Sequence, residues 1–316
     1  MNRFTANPRV ACIGECMLEL SGDLPQPMRL SYGGDTLNTA IYLARLGVRT
    51  DYITALGDDP YSDWMRAQWQ SEGVGVRHVI RAQGRLPGFY AIRTDDHGER
   101  QFHYWRDRAP ARNLFDFPEC DAVMAQIDRY DCLYFSGITL SIYSVAHRAR
   151  LFKVLETARK GGCLIAFDSN YRERGWPDAR TARHAFDEAL ARTDIALPTL
   201  TDEQALCEDA DAAACARRLH AAGVSEVIVK LDAAGCLVSL TEEDVLAPTA
   251  EIRTPVDTTG AGDSFNAVYL AARLRGASAI AAAEQAHRLA AEVIMHPGAI
   301  IPRAAMPALT LPGDPG

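Results

Sequence analysis

The chain has 316 residues, 48% of them apolar and 23% charged, enough for one large α/β domain or two small ones around a sizeable core. A formal net charge of -8 argues against a nucleic-acid-binding surface, which is normally basic, and requires any anionic ligand to be drawn in by local arginines or backbone amides. Eight scattered cysteines form no C-x-x-C pair, and no run approaches the ~18 apolar residues of a membrane span, so a cytoplasmic protein with buried, reduced thiols is expected.

In chain order, "RVACIGE" (9–15) reads as a first strand. "YGGDTLNTAIYLARLG" (32–47) follows, with Gly33 and Gly34 before a helix that Asp35 or Thr36 caps and Gly47 stops. Glycines there let backbone amides approach a small polar ligand, with Asn38 one turn inside the helix. "GFYAIRTDDHGERQFHYWR" (88–106) reads as two strands joined by a polar loop. If the loop takes all of residues 95–99, Thr94 pairs with Arg100 and Tyr90 falls opposite Tyr104. Tyr90, Ile92, Phe102, Tyr104 and Arg106 then share one face. A loop one residue shorter sets Tyr90 opposite Trp105 instead. Such a hairpin cannot hold a core alone, so it must pack beside the main sheet or on another subunit.

Further strands are read at "CLYFSG" (132–137), "CLIAFDSN" (163–170), "IALPTL" (195–200), "EVIVKL" (226–231) and "GCLVSL" (235–240). "SVAHRARLFKVLETARKGG" and "DARTARHAFDEALART" carry helical periodicity between them. Alternating strands and helices predict a mostly parallel sheet covered on both sides, with ligands at the carboxyl ends of its strands. A Pro- and Gly-containing tail, 307–316, is expected to be poorly ordered.

"DTTGAGDSF" (257–265) precedes an apolar helix marked by Phe265, Val268, Leu270, Ala271 and Leu274 and stopped by Gly276. Gly260, Ala261 and Gly262 can turn successive amides toward one point, and a helix N-terminus adds positive partial charge, which together suit a phosphate. A carboxylate in such a pocket needs a task of its own. Asp263 is read as a general base that takes a proton from a hydroxyl while the 260–263 amides hold the phosphoryl group under attack. The plainer alternative is an aspartate that merely caps the helix. Neither a Walker-type loop nor a complete G-x-G-x-x-G after the first strand is present.

"GGDTLNTAIYLARLG" and "DTTGAGDSFNAVYLAARLRG" resemble the two signatures of the PfkB, or ribokinase-like, carbohydrate kinases, in order and across essentially the whole chain. The resemblance implies a three-layer α/β/α sandwich in one domain, 1–312, with a β lid from about 15–34 and 86–112 and a tail at 313–316. It also implies ATP and Mg²⁺, with Asp263 as the base. "GECMLEL", "RLPGFYAIRTDDHGERQFHYWR", "DSNYRERGW" and "GAIIPRAAMP" are similar to the branch acting on 2-keto-3-deoxy sugar acids. That similarity puts the substrate on Gly34, with Tyr90, Tyr104, Arg106 and Arg172 around it. An acidic chain that binds a carboxylate needs arginine in its site, and Arg106 and Arg172 stand where the acid would lie.

At the phosphate end, Asp168 and Asn170 suit the orientation of Mg²⁺-ATP. Lys230 and Gly235 match the family's K-x-G-x-x-G nucleotide loop, although Asp232 replaces its first glycine. Leu200 likewise replaces the asparagine of an N-x-x-E pattern that keeps only Glu203. Expected partners are therefore a small sugar acid and ATP, with no nucleic acid or membrane, and a homodimer through the lid is consistent with the family. Alternatives are a kinase for fructose or 2-keto-3-deoxygalactonate, a catalytically silent sugar-acid sensor, and an NAD-linked dehydrogenase, which lacks its glycine fingerprint here.

Overall fold

The computed structural model describes residues 7–22, 26–94, 100–241, 243–249 and 253–313. Strand β1 (Arg9–Ile13) shows why the sheet is covered twice. Val10 and Cys12 point into one apolar cluster, Ala11 and Ile13 into another, and all four are fully buried. Parallel to β1 run β4 (Arg49–Gly57) on one side and β8 (Cys132–Ser136) on the other. The sheet continues beyond β8 through β9 (Leu164–Asp168), β10 (Ile195–Ala196) and β11 (Glu226–Lys230), all parallel. Two antiparallel strands, β12 (Cys236–Leu240) and β13 (Glu243–Ala247), close that edge, and β5 (Val79–Ala82) closes the other.

The first cluster is covered by α1 (Asp35–Arg45), α2 (Pro60–Ser71), α9 (Ala261–Leu274) and α10 (Ala279–Val293). The second is covered by α3 (Glu119–Met124), α4 (Gly137–Ile142), α5 (Val145–Lys160), α6 (Ala179–Leu190), α7 (Leu200–Cys207) and α8 (Ala212–Ala221). The two helices read from periodicity are α5 and α6, capped by Ser144 and Asp178 through the amides of His147 and Thr181. This is the expected three-layer sandwich.

A second sheet, in the order β3-β2-β6-β7, stands at one end: β2 (Met17–Ser21), β3 (Arg29–Gly33), β6 (Phe89–Thr94) and β7 (Arg100–Trp105). Thr94 pairs with Arg100 and Tyr90 with Tyr104, the register of the longer loop, while residues 95–99 themselves lie outside the described residues. Alternation then puts Tyr90, Ile92, Phe102 and Tyr104 on one face, and Arg106 follows just past β7.

Three expectations need correction. Neither Asp35 nor Thr36 caps α1: its N-cap is Gly34, and Asp35 is already helical. The tail is not loose up to residue 313, because Leu311 is buried and Leu309 packs on the first cluster. "IALPTL" forms only a two-residue strand, since Pro198 has no N–H to continue the ladder.

Candidate active site

The carboxyl ends of β1, β8, β9 and β11 meet the amino ends of α1 and α9 beneath the lid. Gly260 is the N-cap of α9 in the left-handed region, at φ 78°. An added Cβ there would sit 2.7 Å from the backbone of Ala299, so glycine is required both by dihedral and by space. Asp257 fixes the same turn, accepting from the amide and hydroxyl of Thr259 and from the amide of Gly298. The Ala261 amide turns back to the Thr258 carbonyl, whereas those of Gly262 and Asp263 make no backbone hydrogen bond among the described residues. Within the 260–263 turn, these two amides are the ones left without a backbone acceptor.

Asp263 lies inside the first turn of α9 and makes no N-cap bond, which removes the plainer reading of it as a cap. Asn38 of α1 donates to its Oδ2 at 2.8 Å, and the Asn38 Oδ1 is buried without a protein partner. Burial pushes the Asp263 carboxyl up to about 7, with the charges of Asp35 and Asp168 adding to the rise and Asn38 and Lys230 opposing it. Asp35 is raised as well, chiefly by burial. Its Oδ2 accepts from Asn170, which adopts φ 30° to reach it at 2.8 Å.

Asp168, at the end of β9, accepts from Lys230 at 3.2 Å and from Asn266 at 2.7 Å. Lys230 also donates to the Asn266 side chain, and its Nζ lies 3.5 Å from where a Cβ on Gly262 would be. Lys230 therefore sits directly against the 260–263 turn, with Asp168 behind it. Gly235 adopts φ 102°, and a Cβ there would collide with the Ala247 carbonyl at 2.2 Å, so this turn holds the nucleotide-loop match against β13. Asp263 feels two further buried carboxylates, Asp35 and Asp168, against the single ammonium of Lys230. Such an oxygen-rich, charge-excess donor set fits a hard divalent cation and the phosphates it accompanies.

At the lid end, Gly34 passes so close to the backbone of residue 15 that a Cβ would meet the Glu15 carbonyl at 2.2 Å. Tyr90 donates its hydroxyl to Glu19, whose other oxygen accepts from Ser31 at 2.7 Å. Tyr104 is 49% exposed, stacks on Phe102 and packs 5.8 Å from Tyr90, ring centre to ring centre. Arg106 lies 5.8 Å over the Tyr104 ring and donates to buried Glu15. Arg172 is 58% exposed and pairs with Asp202 at 3.1 Å. Its neighbour Arg174 also acts electrostatically on Tyr104. Among the residues read from the sequence, hydrogen bonds bring Asn38 to Asp263 and Lys230 to Asp168, Asn170 reaches Asp35, and Tyr90, Tyr104 and Arg106 cluster on the second sheet.

Sequence reasoning missed Asp35 as a site carboxylate, along with Glu15, Glu19 and Asn266. Asp35 was visible beside "GG" but was read as a cap. Leu200, where the family pattern has asparagine, packs on the second apolar cluster, and Glu203 is tied to Arg218 at 2.6 Å. Asp202 instead faces Asp168 and Lys230, whose charges act on it.

Fold and site together define an α/β protein that holds an anion turn against a buried carboxylate under a β lid. The chain matches the pfkB family of carbohydrate kinases over residues 7–306. It is 46% identical over 308 residues to a 2-dehydro-3-deoxygluconokinase of Dickeya dadantii, covering 95% of this chain and 98% of that one. Its fold superposes on a PfkB protein from Polaromonas with a TM-score of 0.82 and 25% identity, over 94% and 98% of the two chains. It also superposes on a putative ribokinase II of E. coli in complex with ATP and Mg²⁺, with a TM-score of 0.79 and 22% identity, over 93% and 94%. The chain belongs to the pfkB family of carbohydrate kinases.

Proposed function

We propose that this chain phosphorylates 2-dehydro-3-deoxy-D-gluconate (2-keto-3-deoxygluconate) from ATP, at the terminal C6 hydroxyl. The observation that carries the reaction type is Asp263, a buried carboxylate pushed up to about 7 beside free amides at the start of α9. A base of that strength accepts a hydroxyl proton near neutral pH. Asn38 holds one carboxylate oxygen, which leaves the other for the substrate. As the proton moves to Asp263, the Gly262 and Asp263 amides and the Lys230 ammonium take up charge on the transferring phosphoryl group. Lys230, Asp168 and the turn at Gly235 would hold the nucleotide phosphates, and Asp168 and Asp202 would hold Mg²⁺, which when bound would neutralise phosphate charge.

The choice of substrate rests on the 46% identical relative named for this acid and on the arginines of the lid side. Arg172, with Arg174 near it, draws in the C1 carboxylate, Arg106 orients it, and Tyr90, Tyr104 and the Gly34 backbone contact the rest of the sugar. One observation favours a second reading: Glu15 already neutralises Arg106, which suits a neutral hexulose such as fructose. Steady-state turnover on the sugar acid, its C4 epimer and fructose separates the two, since a kcat/KM for fructose above that for the acid would overturn the first. We also place the reaction in the cytoplasm, where the eight cysteines stay reduced, and read the exposed Trp105, on the lid face opposite Tyr104, as suited to a lid-to-lid homodimer. Sedimentation showing only monomer at micromolar concentration would remove that dimer.

A further inference from the structure

Glu15 sits where the chain leaves β1 for the lid, and Arg106 sits where it leaves β7 to return. The Glu15 side chain is 1% exposed and that of Arg106 19%, and the guanidinium Nη2 donates to Glu15 Oε2. Glu15 Oε1 and Arg106 Nε are both buried without a protein partner, while Arg106 Nη1 makes no hydrogen bond among the described residues. A Cβ on Gly88 would come within 3.2 Å of Glu15 Oε1, so the carboxylate is boxed in from that side as well. Tyr104 bounds the guanidinium on its ring face.

A long arginine side chain has many rotamers, and an unheld one loses that freedom only when substrate binds. Here the carboxylate beneath and the ring beside it fix the plane of the guanidinium in advance, leaving Nη1 and the buried Nε as unclaimed donors. A planar donor held in one orientation is what bidentate or directed carboxylate recognition requires. On the reading that the substrate is a sugar acid, we propose that Glu15 is a positioning residue. It acts through Arg106, sets the direction of its free N–H groups toward the substrate carboxylate, and so contributes to discrimination between the acid and a neutral sugar. The pair is close to neutral as a unit, so bulk attraction of the acid falls to Arg172 and Arg174, and the Glu15–Arg106 pair supplies direction.

The test compares the full chain with Glu15→Ala and Glu15→Gln on 2-keto-3-deoxygluconate and on 3-deoxyfructose, its neutral counterpart with CH₂OH at C1. Glu15→Ala should raise KM for the acid about tenfold with kcat within about threefold, and should leave KM for the neutral sugar within about threefold. Glu15→Gln, whose amide oxygen accepts the same hydrogen bond, should restore the acid KM to within about threefold of wild type. Equal changes for both sugars, no change in Glu15→Ala, or no rescue by glutamine would overturn the proposal. If Glu15→Ala fails to fold, Arg106→Ala and the Arg106→Ala/Glu15→Ala double variant decide, because the double variant removes both charges. No further rise in acid KM in the double variant supports action through Arg106, and a further rise refutes it. Wild-type protein that turns over neither keto-deoxy acid overturns the functional reading itself, a result distinct from normal turnover that is insensitive to Glu15.

Discussion

Asp263→Asn should abolish turnover and at the same time stabilise the protein, by an amount that depends on pH. The Asp263 carboxyl rises from 3.8 to about 7 on folding, chiefly because burial penalises its charge. Between these values the folded state holds a proton that the unfolded state has released, so stability falls as pH rises from about 4 to about 7. At ~1.4 kcal/mol per tenfold change in proton affinity, that rise sets an upper value of ~4 kcal/mol. Because Asp35 shares the buried charge, about 2–4 kcal/mol is the expected cost of ionising Asp263 above pH 7. Asparagine carries no such cost. Its oxygen accepts from Asn38 as before, and its amide can donate to the orphaned Asn38 Oδ1. The variant should therefore match wild type near pH 4 and exceed it by about 4–8 °C in Tm at pH 8, taking about 2 °C per kcal/mol for a chain of this size. Thermal and urea unfolding of the ligand-free protein from pH 4 to 8 measures this. A stability difference that stays constant with pH, or an asparagine variant less stable at pH 8, would refute the assignment of a strained buried charge to Asp263.

The same shift predicts that wild-type kcat/KM rises about tenfold per pH unit up to about pH 7 and then levels off, read from initial rates at fixed ionic strength; a flat profile from pH 5 to 8 would count against Asp263 as base. Gly260→Ala must hold φ near 78° and push its methyl against Ala299, so it should lose about 1–3 kcal/mol of stability and most of its turnover, checked by unfolding and by initial rates. Lys230→Met leaves Asp168 buried without its cation and should weaken nucleotide binding at least ~10-fold while costing about 3–5 kcal/mol of stability, seen by calorimetry with ADP and by urea unfolding. Arg172→Ala removes a mostly exposed pair with Asp202, so stability should change by less than ~1 kcal/mol while KM for the sugar acid rises.

What could be read in the sequence was what local spacing determines. The two-strand lid segment followed from alternation, which left two registers open according to loop length, and the structure adopts the one that pairs Tyr90 with Tyr104. The anion turn followed from glycines placed before an apolar stripe. Interactions between distant residues were not legible. Asp35 meets Asn170 from 135 positions away, and Glu15 meets Arg106 from 91, so neither carboxylate could be assigned a partner from its neighbours. Arg106 was read as a free cation for the substrate because its counter-ion lies in another strand crossing. Strand β4 escaped notice because Arg49 and Asp51 break its apolar run, although the last six of its nine residues are buried. The lid strands β2 and β3 are half covered and mix Glu19 and Ser31 with leucines, which leaves little periodic signal. Leu309 and Leu311 lie among prolines in a segment that looked unstructured, yet they supply the apolar contacts that dock it.

The measurement that bears most directly on the central claim is ADP release from ATP and Mg²⁺ by wild type and Asp263→Asn, with 2-keto-3-deoxygluconate, 2-keto-3-deoxygalactonate, gluconate, fructose and ribose offered in turn. The account predicts turnover on a keto-deoxy acid well above that on the neutral sugars, and loss of at least ~10³-fold in kcat in the variant with sugar binding retained. Turnover that survives in Asp263→Asn, or a wild-type protein that binds the acid and releases no ADP, would contradict it.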